Sequence, residues 1–119
     1  MKIRRGRDAV RLVEAYVRAN PDREMAVSSL SRRVGLSERG LRKAFYGVHG
    51  VSPKRWMMAA RLDRVRRILS LPPTNGLTVT EVATRHGFFE LGRFAFTYRQ
   101  RYGESPSATL RESRRRSAA

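Results

Sequence analysis

The sequence predicts an all-α chain of seven helices, and three observations carry that prediction. Apolar residues recur at spacings of three and four, which places them on one face of a helix. No segment alternates apolar and polar residues as a half-buried strand would. Serine, threonine and proline stand where helices can start, and glycine stands where they can stop.

Residues 1–7 are basic and read as loose. The first helix is expected from Asp8 to Asn20, with Asp8 as its cap and Asn20-Pro21 as its stop. Val10, Val13 and Val17 form its apolar stripe, flanked by Leu12 and Tyr16. A short helix follows from Val27 to Val34, with Leu30 and Val34 inward, and Gly35 interrupts it. Ser37 caps the third helix, which turns Leu41, Ala44 and Phe45 to the core and ends before Gly50. Ser52-Pro53 sets a capping serine before proline at the first helical position, opening a fourth helix that reaches about Ser70. Met58, Leu62, Val65 and Leu69 form one stripe along it. Its eighteen residues, at about 1.5 Å each, make a rod of about 27 Å.

The run Leu71-Pro72-Pro73-Thr74-Asn75-Gly76 is a break rich in turn formers. Thr78 and Glu81 have capping-box spacing and open a fifth helix, Val79 to Arg85, which ends at Gly87. A sixth runs from Glu90 to about Arg101 with Phe94 and Tyr98 inward. Ser105-Pro106 repeats the serine-proline start for a last helix to about Arg111. Residues 113–119, with Arg114-Arg115-Arg116, read as a frayed and disordered basic tail.

A length of 119 residues allows one domain or two very small ones. Lys and Arg total 26 against 10 acidic residues, a net charge of +16, beyond the magnitude of about 2–8 that suits a small soluble domain. Nucleic acid is the first candidate for compensating it. Only Lys2, Lys43 and Lys54 are lysine, and a GC-rich coding genome accounts for part of the arginine bias but not for the scarcity of acids. Hydrophobic residues make up 40 %, enough for a small core. Cysteine is absent, which excludes a disulfide framework, a thiolate metal site and a cysteine nucleophile. The two histidines, His49 and His86, lie far apart, so no metal is expected. No apolar run is long enough to span a membrane, and the basic start is not followed by a signal-like apolar stretch. The cytoplasm is the default compartment, with membrane-surface binding by a basic amphipathic helix as a minor alternative.

The two halves repeat each other. Residues 27–53 and 79–106 both begin with valine, reach glycine eight residues later, and carry an aromatic ten or eleven residues beyond it. Both close on glycine, one residue, then Ser-Pro. One inserted residue in the second copy aligns them. Each copy is a short helix, a glycine turn and a second helix, the helix-turn-helix arrangement whose second helix can enter a DNA major groove. The expected organisation is a first unit over 8–52, a linker helix over 53–70, a second unit over 71–112 and a basic tail over 113–119. A duplicated hairpin in an ordinary bundle is the bland alternative. A connector of about 27 Å favours the DNA reading, because it suits reading helices one DNA turn, about 34 Å, apart.

These residues resemble the DNA-binding domain of the AraC/XylS family of bacterial transcription regulators, over about residues 8–112. The second copy carries the resemblance most specifically, through Val79-Thr80-Glu81-Val82-Ala83, Gly87-Phe88, Phe94, Tyr98-Arg99 and Tyr102-Gly103-Glu104-Ser105-Pro106. The first agrees through Gly35-Leu36-Ser37-Glu38-Arg39, Leu41, Phe45, Gly50-Val51-Ser52-Pro53 and Arg61-Leu62. The resemblance implies two homeodomain-like helix-turn-helix subdomains with both reading helices on one face of bent promoter DNA. It implies activation of transcription, RNA polymerase as a second partner, and no cofactor. Larger members carry a sensor domain, so a piece of a longer regulator is expected. The isolated domain is then monomeric, with dimerisation elsewhere in the parent.

In the first reading helix the core assignments leave Glu38, Arg39, Arg42 and Lys43 facing the groove. The family's base-contacting positions fall on Arg39, Arg42 and Lys43. Arg42 is the best base reader, since a guanidinium can bond guanine O6 and N7 together; gripping phosphate alone, or lying on a solvated face, is its alternative. Ser37 at the helix N-terminus suits a phosphate, as do Lys54 and Thr80 near helix starts. In the second reading helix the resemblance places Leu91, Gly92, Arg93 and Phe96 at the groove. Arg93 is the hydrogen-bonding candidate there. Phe96 can touch thymine methyl groups, or belong to the core or to a domain contact, and Gly92 permits close backbone approach. The first helix is therefore expected to carry most specificity, and the second to position and read shape. Trp56, Phe88, Phe94 and Tyr98 read as core. Arg64, Arg66 and Arg67 are left open between a solvated face, a phosphate strip and a polymerase contact. A nonspecific architectural nucleic-acid binder is the competing function. An enzyme is disfavoured, because no catalytic grouping is present and related repair methyltransferases need cysteines.

Overall fold

Periodic apolar stripes on short helices bury themselves only against one another, and the chain solves this twice. In a computed structural model, residues 2–21, 23–71 and 76–118 are described, with side chains from Arg5 onward. Among them are seven helices and no strand: α1 (Lys2–Ala19), α2 (Val27–Val34), α3 (Glu38–His49), α4 (Pro53–Ser70), α5 (Val79–Arg85), α6 (Leu91–Tyr102) and α7 (Pro106–Ala118). They fall into two compact units, Met1–Ala60 and Arg61–Ala119, with the division inside α4. The expected break at Pro72–Asn75 lies outside the described residues.

In the first unit α1 packs on α2 and α3. Val10, Val13, Leu30, Leu41 and Phe45 are essentially fully buried, with Val17 and Met57 joining them. Burying each such side chain is worth about 1.5–3 kcal/mol. Trp56 lies edge-on to Phe45 at 5.9 Å and stacks on His49 at 5.6 Å. Glu14 lies 2.6 Å from His49 Nε2. The indole, read from the sequence as core, is partly buried and packs against this cluster. The buried methionine of α4 is Met57; its neighbour Met58, expected in the stripe, is half-buried.

Two termini differ from expectation. The first helix begins at Lys2, and Asp8 lies within it rather than capping it. The reason is tertiary: Arg5 Nη2 donates to the Gly35 carbonyl at 2.7 Å, and Gly6 sits where a Cβ would meet Ala44 at 3.5 Å. Leu12 is exposed. The last helix continues through Ala118, so residues 113–118 are helical rather than disordered. Ser113 is fully buried and donates to the Ser70 carbonyl. Arg116 donates to the same carbonyl at 3.3 Å, and Arg114 to that of Leu77 at 2.7 Å. The Ser70 carbonyl, left over at the end of α4, takes its partners from this segment.

The second unit packs α5, α6 and α7 together. Leu62, Val65 and Leu69 of α4 are buried in it, with Val82, Ala83, Phe94, Tyr98 and Leu110. Phe88, Phe94, Tyr98 and Tyr102 form a continuous run of ring contacts at 4.7–5.8 Å between centroids. The buried Tyr98 hydroxyl donates to Thr109 Oγ1 at 2.8 Å, and that hydroxyl bonds the Glu104 carboxylate.

Candidate nucleic-acid interface

The turns ahead of the two reading helices begin alike, the second being one residue longer and its helix starting without a side-chain cap. Gly35 and Gly87 both take positive φ, +75° and +84°, a conformation costly for any residue with a Cβ. The next amide then reaches back to a helix carbonyl: Leu36 N to Ser31 O at 3.0 Å, and Phe88 N to Ala83 O at 3.0 Å. The reading helices that follow, α3 and α6, are each 12 residues long. Each ends on a glycine with positive φ, Gly50 or Gly103, whose amide bonds a carbonyl four residues back. After each, a serine caps the next helix: Ser52 Oγ accepts from Arg55 N, and Ser105 Oγ from Ala108 N.

Helical phase then decides what α3 shows to solvent. Leu41 and Phe45 are buried and Ala44 packs beside them. Glu38, Arg39, Arg42 and Lys43 are all exposed, as expected of a groove-facing set. Ser37 is exposed too, and its Oγ accepts from Gly40 N at 3.0 Å. Arg42 Nη2 lies 3.2 Å from Glu38 Oε1, with both side chains about half exposed. An exposed i,i+4 pair is worth only about 0.3–0.5 kcal/mol, so the guanidinium is readily surrendered to a stronger acceptor. Arg5 and Arg7 line a groove with Lys43 at the edge of this face.

On α6, Phe94 and Tyr98 point inward and Leu91, Gly92, Arg93 and Phe96 outward. Phe96 is 66 % exposed, which removes the core alternative for it. Arg93 pairs loosely with Glu90, at 3.5 Å. Phe89 is 75 % exposed, an outward aromatic that sequence reasoning did not assign to the site. Which ring of Phe88-Phe89 turns inward is decided by packing, where Phe88 lies 4.9 Å from Phe94 between ring centroids. Lys54 and Thr80 are exposed in the first turns of α4 and α5. Thr78 caps α5 by accepting from Glu81 N at 3.1 Å.

The C-terminal end of α6 is anchored by charge. Arg101 bonds both oxygens of Asp63 and Tyr102 bonds one of them. Arg66 lies over the Tyr102 ring at 4.6 Å and 3.6 Å from Glu104. Partial burial pushes the Asp63 carboxyl up. The hydrogen bonds from Arg101 and Tyr102, with the charges of Arg101 and Arg66, outweigh it and leave the carboxyl below its ordinary value. Burial, and the carboxylate it faces, push the Tyr102 phenol up, so it stays protonated. Arg66 is thus part of this cluster, whereas Arg64 and Arg67 are exposed.

No helix among the described residues is long and apolar enough to cross a membrane. The family model described as "Helix-turn-helix domain" matches residues 30–112. The chain is 37 % identical over 102 residues to the "Probable thc operon regulatory protein" of Rhodococcus erythropolis, covering 86 % of this chain and 31 % of that protein. It is 32 % identical over 111 residues to the "XylDLEGF operon transcriptional activator" of Pseudomonas putida, covering 93 % and 35 %. The chain therefore spans about a third of the length of these relatives. A crystal structure of a probable AraC family transcriptional regulator from Rhodopseudomonas palustris CGA009 superposes with a TM-score of 0.82 at 40 % identity, over 90 % of this chain and 98 % of that one. Members of this family are transcription regulators rather than enzymes. With the turn, the reading helix and the serine cap duplicated in both units, and the matches spanning both, the chain belongs to the AraC/XylS family as its helix-turn-helix DNA-binding domain.

Proposed function

We propose that this domain binds promoter DNA sequence-specifically and activates transcription, with α3 and α6 entering successive major grooves on one face of the duplex. The observation that carries the reading is the solvent face of α3, where Arg39, Arg42 and Lys43 stand exposed on a helix whose other face is locked by Leu41 and Phe45. Arg42 reads guanine through paired hydrogen bonds, and Arg39 and Lys43 extend that contact to neighbouring bases or phosphates. Ser37, Lys54 and Thr80 hold phosphates and fix register without reading sequence. On α6, Arg93 supplies the polar contact and Gly92 and Phe96 the close apolar one, so α3 carries most of the discrimination. The curated relatives are named as operon regulators and activators and are about three times as long as the matched region. The domain is accordingly read as the DNA-binding part of a longer cytoplasmic, nucleoid-associated regulator. RNA polymerase is its second partner, and dimerisation belongs to the remainder; alone it binds as a monomer.

Selection from random duplex DNA, with binding then quantified at two salt concentrations, tests this. The expected result is an enriched site with two elements about 10 base pairs apart. Uniform recovery with strong, salt-sensitive binding overturns it in favour of a nonspecific architectural binder.

A further inference from the structure

We infer that α6 reads thymine methyl groups through an apolar patch that the domain keeps in solvent, formed by Phe96, Leu91 and Phe89 around a bare Gly92. The inference rests on the reading above and names the base chemistry of its second half.

Three observations converge on it. The first is exposure. Phe89 is 75 %, Phe96 66 % and Leu91 36 % exposed, within eight residues at the start of a reading helix. Phe89 just precedes α6, Leu91 opens it, and Phe96 follows Gly92 by one turn, so all three reach solvent around the first half of that helix. The second is register. The shared glycine and serine-proline ends align the two reading helices, so Phe96 occupies the place of Lys43 and Gly92 the place of Arg39. Charged groups at those places in α3 suit guanine and phosphate. An aromatic edge and a missing side chain suit the one apolar group that the major groove offers, the C5 methyl of thymine. The third is Gly92 itself. A Cβ built on it meets nothing within 4 Å, so no packing inside the protein calls for glycine there. Glycine weakens a helix relative to alanine, and here the space it leaves opens outward. Arg93 and Arg99 are exposed on the same helix and Arg85 at the end of α5, a cationic rim suited to the phosphates on either side of such a contact.

The experiment uses the enriched duplex from the selection. The α3 half is identified as the one whose discrimination Arg42→Ala relaxes. Thymines in the other half are replaced one at a time by deoxyuridine, which removes only the methyl. One buried methyl corresponds to about a fourfold change in affinity. Wild type is expected to bind one or two of these duplexes about fourfold more weakly, and Phe96→Ala to bind thymine and deoxyuridine duplexes alike. Gly92→Ala is expected to melt at or above the wild-type temperature while losing affinity for the same site. Circular dichroism of both variants separates a lost contact from a lost fold. Deoxyuridine tolerated throughout that half by wild type overturns the inference and leaves the two-helix reading standing. So does a thymine preference that survives in Phe96→Ala. If no site is enriched at all, both fall together.

Discussion

Arg101 grips both carboxylate oxygens of Asp63, Nε at 3.1 Å and Nη2 at 3.2 Å, and so ties the end of the second reading helix to α4. The paired geometry holds a planar guanidinium in one orientation. The two residues are 38 apart in sequence, and Tyr102 completes the contact from the next position.

Asp63→Asn removes the charge and keeps the shape. Because the pair is about half exposed, the expected loss is at most about 1 kcal/mol at neutral pH. The folded carboxyl is held below its ordinary value, so its contribution is present above the unfolded value and is lost as pH falls through the folded one. Urea unfolding should therefore separate wild type from Asp63→Asn at pH 7, and the gap should close on acidification below about pH 4. A gap that persists at acid pH would mean that geometry rather than charge holds the helix end.

Gly87→Ala should be the more damaging of two glycine substitutions. At φ +84°, its new Cβ would lie 2.7 Å from Arg61 Nη1, the group that donates to the His86 carbonyl and whose guanidinium lies over the Phe88 ring. Gly50 has φ +72° but nothing within 4 Å of an added Cβ. Gly50→Ala is expected to cost the conformational penalty alone, about 1–2 kcal/mol, and Gly87→Ala more. Equal midpoints in urea would show that Arg61 moves aside freely.

Ending the chain at Arg111 should destabilise the second unit by about 1–3 kcal/mol. It deletes the buried Ser113 and the bonds of Ser113, Arg114 and Arg116 to the Ser70 and Leu77 carbonyls. A tail without structure would be removed at no cost, so an unchanged denaturation midpoint is the outcome that defeats this prediction.

Arg42→Ala and Lys54→Ala should differ in kind. Loss of a base-reading guanidinium is expected to cost about 1–3 kcal/mol and to relax preference at one base pair. Loss of a phosphate-binding ammonium should weaken all duplexes evenly and reduce the salt slope by about one. If both variants merely lower affinity evenly, Arg42 grips phosphate and the base reader lies elsewhere on α3.

Much of this was legible in the residues, because the signals are local. Caps such as Ser37 on Gly40 and Thr78 on Glu81 act over three residues. The stripes that bury Val10, Val13, Leu41, Phe45, Leu62 and Val65 follow from helical period. The repeat named both turns, and exposure of Glu38, Arg39, Arg42 and Lys43 follows from burying Leu41 and Phe45. Tertiary structure alone decided the rest. Helix α1 begins at Lys2 where Arg5 reaches Gly35, 30 residues on, and α7 continues where Arg116 reaches Ser70, 46 residues back. Met57 rather than Met58 enters the core, and Phe96 faces solvent, because neighbouring elements determine which side of each helix is covered. The division has one physical cause. A hydrogen bond within a turn depends on residues a few places apart, whereas burial and long-range pairing depend on which surfaces the whole fold brings together.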